Sequence, residues 1–354
     1  MTTARIRTEQ FCRRYGLGVP ILMAPMAGSC PPSLAIAVAN AGGLGACGLL
    51  HMQAADVAAW VAQFRQQSEG VFQLNLWVPD PSPVRDAQHE ALVRDFLSNW
   101  GPAVPSGAGN VTPLDFAAQC EAMLAVSPPI VSSIMGLYHP DFVKQLKARG
   151  IAWFATVTTV AEAKAAQAAG ADVLVVQGME AGGHRGCFEA DLAQAQQVGL
   201  FSLLPAVVDA VKIPVVATGG IADARGVAAA LTLGASAVQV GTGFLRSPEA
   251  QIHPAWASAL AKAAPEDTVV TRAFSGRAGR SIATDYVRAA EAAPAPAPYP
   301  VQRGLTSEMR KAAQQSGDIQ RMQLWAGQSA ALASSEPAAD IVRSLWGGAQ
   351  PFLP

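Results

Sequence analysis

The sequence predicts an α/β fold: one closed barrel of eight parallel strands, each followed by a helix. Short apolar runs rich in β-branched residues alternate with alanine-rich helical segments, the pattern of repeated strand–helix units. Of the 354 residues, 51% are hydrophobic and only 14% are charged, whereas roughly a quarter charged is usual. A parallel sheet that is covered on both faces produces this bias. An open doubly wound sheet is the alternative, but the glycine-rich turn typical of that fold does not follow the first strand.

Eight apolar runs qualify as barrel strands, and they span residues 20–25, 44–48, 71–77, 129–136, 151–157, 172–178, 214–220 and 236–242. Helical patterns between them are clearest at 54–67, 87–100, 141–150, 159–170 and 222–234. A longer insertion, residues 79–127, follows the third strand. We therefore predict a (β/α)8 barrel over residues 1–250. Residues 251–354 are predicted to form a helical segment that packs on the barrel and contributes to its substrate pocket.

Composition and charge exclude several kinds of partner. The formal net charge is −1 without a run of five or six like charges, so a basic nucleic-acid footprint is absent. Five scattered cysteines without a CxxC pair indicate neither a disulfide framework nor a zinc site. No signal peptide or membrane-spanning run is evident near the N-terminus. We expect a cytoplasmic monomer or homodimer that binds a small molecule and binds no metal, nucleic acid or membrane.

Two glycine turns follow the seventh and eighth predicted strands. Gly219 and Gly220 lie in ATGGIAD, and Gly241 and Thr242 lie in QVGTGFL. Loops at these two places often form a phosphate site in such barrels. Glycine suits them because backbone N–H groups must approach the phosphate oxygens closely. Two such turns on neighbouring strands favour a phosphate site over the alternative, in which each is an ordinary tight turn.

Three amide side chains are predicted at the same end of the barrel. Asn75 and Gln177 lie near the ends of the third and sixth strands, and Gln239 lies just before the last glycine turn. A buried amide without a partner costs about 1–3 kcal/mol, so each needs a hydrogen-bonding group. A flavin ring would satisfy several of them at once. Bonding to neighbouring backbone is the alternative for each amide taken singly.

The segment QGMEAGGHRG places His184 in a glycine-rich loop directly after the sixth strand. Catalytic residues of such barrels lie at this face. An imidazole there can accept a proton or, when charged, donate a hydrogen bond to an anion. Gly182 and Gly183 would let the loop pass close to a flat ring. The flanking Glu180 and Arg185 are expected to be solvated.

The other four histidines are weaker candidates. His51 follows the second strand and could line the same mouth of the barrel. His89 and His253 are expected on helix surfaces, and His139 is expected in a turn beside Pro140. No Ser-His-Asp arrangement, His-Glu-x-x-His motif or strand-end lysine points to another chemistry.

The same residues resemble the nitronate monooxygenase family, once called 2-nitropropane dioxygenases, and the late segments resemble its nitronate-specific class. The matching segments are PILMAPMAG, LNLW, VVQGMEAGGHRG, VVATGGIAD and AVQVGTGFL, and the resemblance covers nearly the whole chain. It implies a TIM barrel with non-covalent FMN. It also implies oxidation of alkyl nitronates, such as propionate 3-nitronate, by O2. The products would be a carbonyl compound and nitrite, formed through an anionic flavin semiquinone.

The resemblance also implies roles for individual residues. His184 would be the catalytic residue and face the substrate, and Tyr299 falls where the nitronate-specific class tends to place a substrate-pocket tyrosine. At Arg303 a less basic residue is expected, which bears on the selectivity of the pocket. The residues implied to bind FMN are Ala24, Pro25, Met26, Asn75, Gln177, Gly182, Gly183, Gly219, Gly220, Gln239, Gly241 and Thr242.

A protonated His184 is the expected anchor for the nitronate, through a charge-assisted hydrogen bond worth roughly 1.5–3 kcal/mol. A neutral nitroalkane would instead need His184 as a base. The closest alternative is an NAD(P)H-dependent flavin barrel, such as an enoyl-acyl-carrier-protein or quinone reductase, which shares much of the EAGGH and GG-x-AD pattern. A non-catalytic sensor of a phosphate ligand is a further alternative, against which the position of His184 argues.

Overall fold

The computed structural model describes residues 3–353, and a closed parallel barrel forms its centre. Strand β9 pairs with β1, which closes the barrel. The fold prediction is confirmed, because each predicted run contains one barrel strand, and the open-sheet alternative is wrong. The barrel strands are β1 (Ile21–Met23), β2 (Leu44–Gly48), β3 (Val71–Trp77), β4 (Ile130–Ile134), β5 (Ala152–Val157), β6 (Val173–Gln177), β8 (Val215–Thr218) and β9 (Ala237–Val240), whereas β7 (Gly183–His184) lies outside the barrel.

Small residues let the helices pack closely on the barrel. A Cβ on Gly45 of β2 would lie only 2.7 Å from the carbonyl oxygen of Ala35 and 3.1 Å from the ring of Phe64. Glycine at this position therefore brings the two neighbouring helices against the strand. This contact explains how LGACG, a run with low intrinsic β-propensity, forms a fully buried strand.

Nine helices surround the barrel or occupy the insertion, within the described part of the chain. Asp86 and Asp115 cap the two insertion helices, α4 and α5, through backbone N–H groups. Helix α8, which follows the long loop after β6, was not predicted. The nine are α1 (Ala4–Tyr15), α2 (Pro32–Asn40), α3 (Ala54–Gln67), α4 (Ala87–Ser98), α5 (Phe116–Val126), α6 (Pro140–Ala148), α7 (Val160–Ala168), α8 (Leu200–Ala210) and α9 (Ala224–Thr232).

The chain after residue 250 is helical, as predicted, but it also contributes two strands. Strands β10 (Thr268–Thr271) and β11 (Gly279–Ile282) are antiparallel, and β11 also pairs with β7, so that Gly279 lies opposite His184. The loop after β6 is therefore hydrogen-bonded to the C-terminal segment. The helices of this segment are α10 (Pro254–Lys262), α11 (Asp285–Glu291), α12 (Val301–Leu305), α13 (Ser307–Ser316) and α14 (Ala338–Ala349).

The insertion packs mainly on the C-terminal segment. Val93 and Leu97 of α4 belong to one apolar cluster with Phe274, Tyr286 and Leu305. Helix α14 instead packs against α9 and α2 on the outside of the barrel. The first part of the C-terminal segment therefore packs with the insertion, whereas its last helix, α14, packs among the outer helices of the barrel. Among residues 3–353, no helix is long and apolar enough to cross a membrane.

Candidate active site

A cavity of about 380 Å³ opens at the carboxyl ends of the barrel strands. Every residue predicted to bind FMN lines it, and so does His184. The barrel brings these residues together because parallel strands all end at the same face. The C-terminal segment supplies the far wall, including Arg303, Arg310 and Trp325.

The glycine turn after β8 has positive φ values that other residues avoid, and the turn after β9 leaves little room for a side chain. Gly219 and Gly220 have φ values of +109° and +68°, and a Cβ on Gly220 would lie 3.1 Å from Cβ of Glu180. A Cβ on Gly241 would lie 3.3 Å from Cβ of Ala24. The turns therefore form a concave backbone surface that a side chain would fill. This shape, with N–H groups available, suits a phosphate.

The C-terminal segment completes this concave surface. Gly327 donates its N–H to Oγ1 of Thr242 (3.0 Å), and Ser329 donates its hydroxyl to the carbonyl of Gly220 (2.7 Å). A Cβ on Gly182 would lie only 2.5 Å from the Gly327 nitrogen. Gly327 and Ser329 were not predicted as site residues. Their segment was noticed only for its resemblance to the family, because nothing local shows which strand ends they will reach.

The three predicted amides already have protein partners. Asn75 donates to Oγ of Ser132 (3.0 Å), and Gln239 accepts from the side chain of Gln73 (3.1 Å). Gln177 donates to the carbonyl of His184 (3.1 Å) and accepts from the N–H of Gly186 (2.8 Å). Gln177 therefore uses both ends of its amide to hold the loop that carries His184. Asn75 and Gln239 each retain one amide end at the cavity.

His184 is held between two tryptophans. Its ring centroid lies 5.0 Å from that of Trp77 and 5.0 Å from that of Trp325. Its Nε2 lies 2.8 Å from Oγ of Ser275, which is fully buried. Trp77 lies in the LNLW segment at the end of β3, and Ser275 and Trp325 lie in the late segments FSGRAGRSI and LWAGQSAALA, which resemble the family. No local pattern in these late segments indicates contact with His184. Ser275 and Trp325 lie far along the chain and come to His184 only through the pairing of β7 with β11.

The enclosed position of His184 favours its neutral form. Burial, followed by the charges of Arg303, Arg277 and His51, lowers the pKa of His184 to about 3. The imidazole is then uncharged at neutral pH. This result opposes the expected protonated anchor and leaves a ring that can accept a proton.

Positive charge in the cavity comes from arginines. Nη2 of Arg303 lies 2.8 Å from Nε2 of His51, and burial, followed by the charge of Arg303, lowers the pKa of His51 to about 4. Burial and the charge of Arg303 lower the pKa of Arg310 to about 10. Neither arginine has an ion-pair partner, and no carboxylate lines the cavity, in the part of the chain that is described. The cavity therefore favours an anion.

The structure does not place Tyr299 on the cavity wall. Its ring stacks on the outer face of Trp77, with centroids 4.6 Å apart and planes 19° apart. Trp77 in turn lines the cavity. Substrate contact by Tyr299 therefore stays a prediction, and in this structure Tyr299 acts by supporting Trp77.

Three residues that were expected to be solvated or on a helix surface have specific positions instead. Arg185 is buried, not solvated, and donates to the carbonyls of Gln177 and Thr158. The Glu180 carboxylate accepts from the backbone N–H of Leu200 at the start of α8 (2.8 Å). His253 lines the cavity as well as capping α10. The expected turn at His139 proves to be the N-cap of α6.

These features define a class of protein. A parallel barrel carries a glycine-lined concave surface after its last two strands, and an enclosed histidine faces the same cavity. This combination is typical of barrel oxidoreductases that hold a phosphate-bearing cofactor at the strand ends.

Comparison with known proteins narrows the class to a family. A sequence model described as nitronate monooxygenase matches residues 14–348, and the chain belongs to this family. A nitronate monooxygenase of Paraburkholderia phytofirmans is 38% identical, over 93% of this chain and 92% of the relative. A probable nitronate monooxygenase of Staphylococcus aureus is 36% identical, over 92% and 93%. The protein is therefore an oxidoreductase, and the family's chemistry calls for a flavin.

Solved structures agree on the fold. The nitroalkane oxidase of Streptomyces ansochromogenes superposes with a TM-score of 0.86 at 34% identity, covering 95% of this chain and 97% of its own. FabK of Thermotoga maritima superposes with a TM-score of 0.75 at 29% identity, covering 99% and 97%. Both likenesses extend over the C-terminal segment as well as the barrel.

Proposed function

We propose that this enzyme binds FMN at the barrel mouth and oxidises alkyl nitronates with O2 to a carbonyl compound and nitrite. Membership of the family supports the oxidation of nitronates. The observation that carries the proposal is the charge of the cavity: Arg303 and Arg310 face it, and no described lining residue is a carboxylate. A nitronate is an anion, so this field favours it over its neutral nitroalkane.

The residues of the cavity fit FMN. The concave backbone of Gly219, Gly220 and Gly241 and the hydroxyl of Thr242 would hold the phosphate, because these residues line the cavity at the ends of the last two barrel strands. Asn75 and Gln239 would meet the ring edge with their remaining amide ends. FMN bound there would supply the redox chemistry between the nitronate and oxygen.

The arginines and His184 divide the work on the substrate. Arg303 and Arg310 supply the positive charge that orients the nitronate. His184, neutral and enclosed by two tryptophans, excludes water from one side and offers a lone pair for a proton. That lone pair makes neutral nitroalkanes a second candidate substrate, because a base is needed to remove their α-proton.

An NAD(P)H-dependent reductase is the alternative function. FabK of Thermotoga maritima shares the fold over the whole chain, although at lower identity and TM-score than the nitroalkane oxidase. The fold is shared by both enzymes, so the fold alone does not choose between the two functions.

The test is the visible spectrum of the purified holoenzyme under anaerobic conditions. We expect ethyl nitronate to change the flavin absorption within the mixing time, whereas nitroethane acts slowly and NADH or NADPH has no effect. Admission of oxygen should restore the oxidised spectrum and release nitrite. A flavin that is bleached by NAD(P)H and unchanged by ethyl nitronate would show that the enzyme is an NAD(P)H-dependent reductase.

A further inference from the structure

We propose that Ser275 is a positioning residue for His184: it accepts a hydrogen bond from Nε2–H and so fixes the tautomer that leaves the lone pair on Nδ1, toward the cavity. The inference rests on the proposed function only in giving His184 a role as the proton-accepting group. It concerns a serine that lies 91 residues further along the chain.

The two groups meet where β7 and β11 pair. His184 is paired with Gly279 in this small sheet, and Ser275 lies in the tight connection from β10 to β11. Oγ of Ser275 is 2.8 Å from Nε2 of His184, 3.1 Å from the carbonyl oxygen of Arg277 and 3.3 Å from its backbone nitrogen. Ser275 is 0% exposed, so water does not compete for these contacts.

The hydrogen atoms around Ser275 can be assigned from these contacts. A serine hydroxyl has one hydrogen and two lone pairs. The Arg277 carbonyl can only accept, and within residues 3–353 the Ser275 hydroxyl is its one donor. If the hydroxyl turned to His184, this buried carbonyl would be left unsatisfied, at a cost of about 1–3 kcal/mol. The hydroxyl therefore donates to Arg277 and accepts from the Arg277 N–H and from His184.

The consequence falls on the second ring nitrogen. A neutral imidazole has one N–H, and here it is at Nε2. Nδ1 then carries the lone pair. Nδ1 has no hydrogen-bond partner in the described chain, and it is not a buried atom. It is therefore reachable from the cavity that the ring lines. The charged groups around the ring, Arg303 and Arg277, oppose protonation of either nitrogen.

The experiment reads the tautomer directly in the intact holoenzyme. Protein labelled with ¹⁵N-histidine gives long-range ¹H–¹⁵N spectra in which protonated and unprotonated ring nitrogens are separate, and a His184→Gln variant identifies the signals. We expect wild-type Nε2 to be protonated and Nδ1 to be bare at pH 7. In Ser275→Ala the preference should be lost, with both nitrogens moving toward intermediate shifts.

Activity gives a second readout. With nitroethane, whose α-proton His184 would remove, we expect kcat/KM of Ser275→Ala to fall about 10- to 100-fold, as for a reacting group displaced by about 1 Å, at full FMN content and with little change in KM. Ser275→Thr, which keeps the hydroxyl, should restore both the tautomer and the rate. Ser281→Ala is the matched control, because Ser281 is equally buried on β11 and bonds to Leu324 instead.

The outcomes separate this inference from the proposed function. A protonated Nδ1 in the wild type, or an unchanged tautomer and rate in Ser275→Ala, would overturn the role of Ser275 even if nitronates are oxidised. A bare Nδ1 that depends on Ser275 supports it even if nitronates are not the substrate, because the spectra need no turnover. If Ser275→Ala does not fold, the wild-type spectrum alone decides the tautomer.

Discussion

At the scale of single residues, the phosphate surface depends on backbone conformations that only glycine adopts easily. Gly219 and Gly220 both have positive φ, and Gly220 also lies against Glu180. Positive φ costs other residues about 1–2 kcal/mol wherever it occurs. The contact with Glu180 adds a second cost, because any side chain at residue 220 would press on Glu180. These two contributions can be separated by experiment.

We predict that Gly220→Val yields a folded apoprotein, because its side chain would press on Glu180 and displace the turn proposed to hold the phosphate. Gly150→Val is the matched control: Gly150 has φ +67°, nearly that of Gly220 at +68°, but nothing lies within 4 Å of its Cβ position. Both variants should lose stability through the positive φ, Gly220→Val more because of Glu180, and only Gly220→Val should lose flavin. The ratio of flavin to protein absorbance measures this. Full flavin in Gly220→Val would rule out the phosphate assignment.

The glycines and His184 could be predicted because their signals are local. GG and GT turns directly follow apolar strands, and barrel geometry then places them at one face. The protonation of His184 could not be predicted, because it depends on enclosure by Trp77 and Trp325 and on Arg303, which come from three separate parts of the chain. Ser275 looks like any other serine until its distance from the imidazole is known.

At the scale of elements, one buried ion pair joins the start of the insertion to the turn before β11. The side chain of Arg277 is 1% exposed, and its guanidinium donates to Asp80 and to the carbonyl of Cys187. The guanidinium also lies over the ring of Trp77, 5.4 Å from the ring centroid. This contact brings the β10–β11 connection, and with it Ser275, over the loop that carries His184. The pair thus supports the geometry of the site.

We predict that Asp80→Asn lowers the free energy of unfolding by about 3–5 kcal/mol, because it leaves a buried guanidinium without its counter-charge. Urea unfolding measures the change. Asp141→Asn is the control, since it removes an exposed pair with Lys144 and should have a much smaller effect. A loss in Asp80→Asn no larger than in the control would mean that the pair carries little of the stability of this region.

The elements differed in how well the sequence predicted them. Helix α3 was predicted to the residue, because an apolar 3.6-residue repeat over Ala54–Gln67 ends in polar residues. The small sheet of β7, β10 and β11 was missed. These strands have only two to four residues each, which is too few for an alternation of apolar and polar residues to be readable. Their pairing is decided by tertiary contacts, which the sequence pattern does not contain.

At the scale of the whole molecule, the C-terminal segment and the barrel share one core. Ile341, Val342 and Leu345 of α14 lie in the same apolar cluster as Ile21 and Val238 of the barrel. The boundary at residue 250 therefore divides the sequence but not the hydrophobic core. The described chain has five free cysteines and no disulfide, so non-covalent contacts alone hold the two parts together.

We accordingly predict a single cooperative unfolding transition. Tryptophan fluorescence, to which Trp325 of the C-terminal segment contributes, and far-UV circular dichroism should give the same urea midpoint. Guanidinium unfolding at two protein concentrations would serve as a control for association. Two separate midpoints would show that residues 251–354 unfold on their own.

The pairing of β7 with β11 has a consequence for how the enzyme is made. A ribosome synthesises the barrel first, and all eight strand ends are available once β9 has emerged. Three residues that contact His184 are translated later. Ser275 and Gly279 come first, and Trp325, which lies against the imidazole ring, comes later still. A nascent barrel therefore lacks the residues that orient His184 and close its side of the cavity. The complete site forms only after residues 275–325 have been translated.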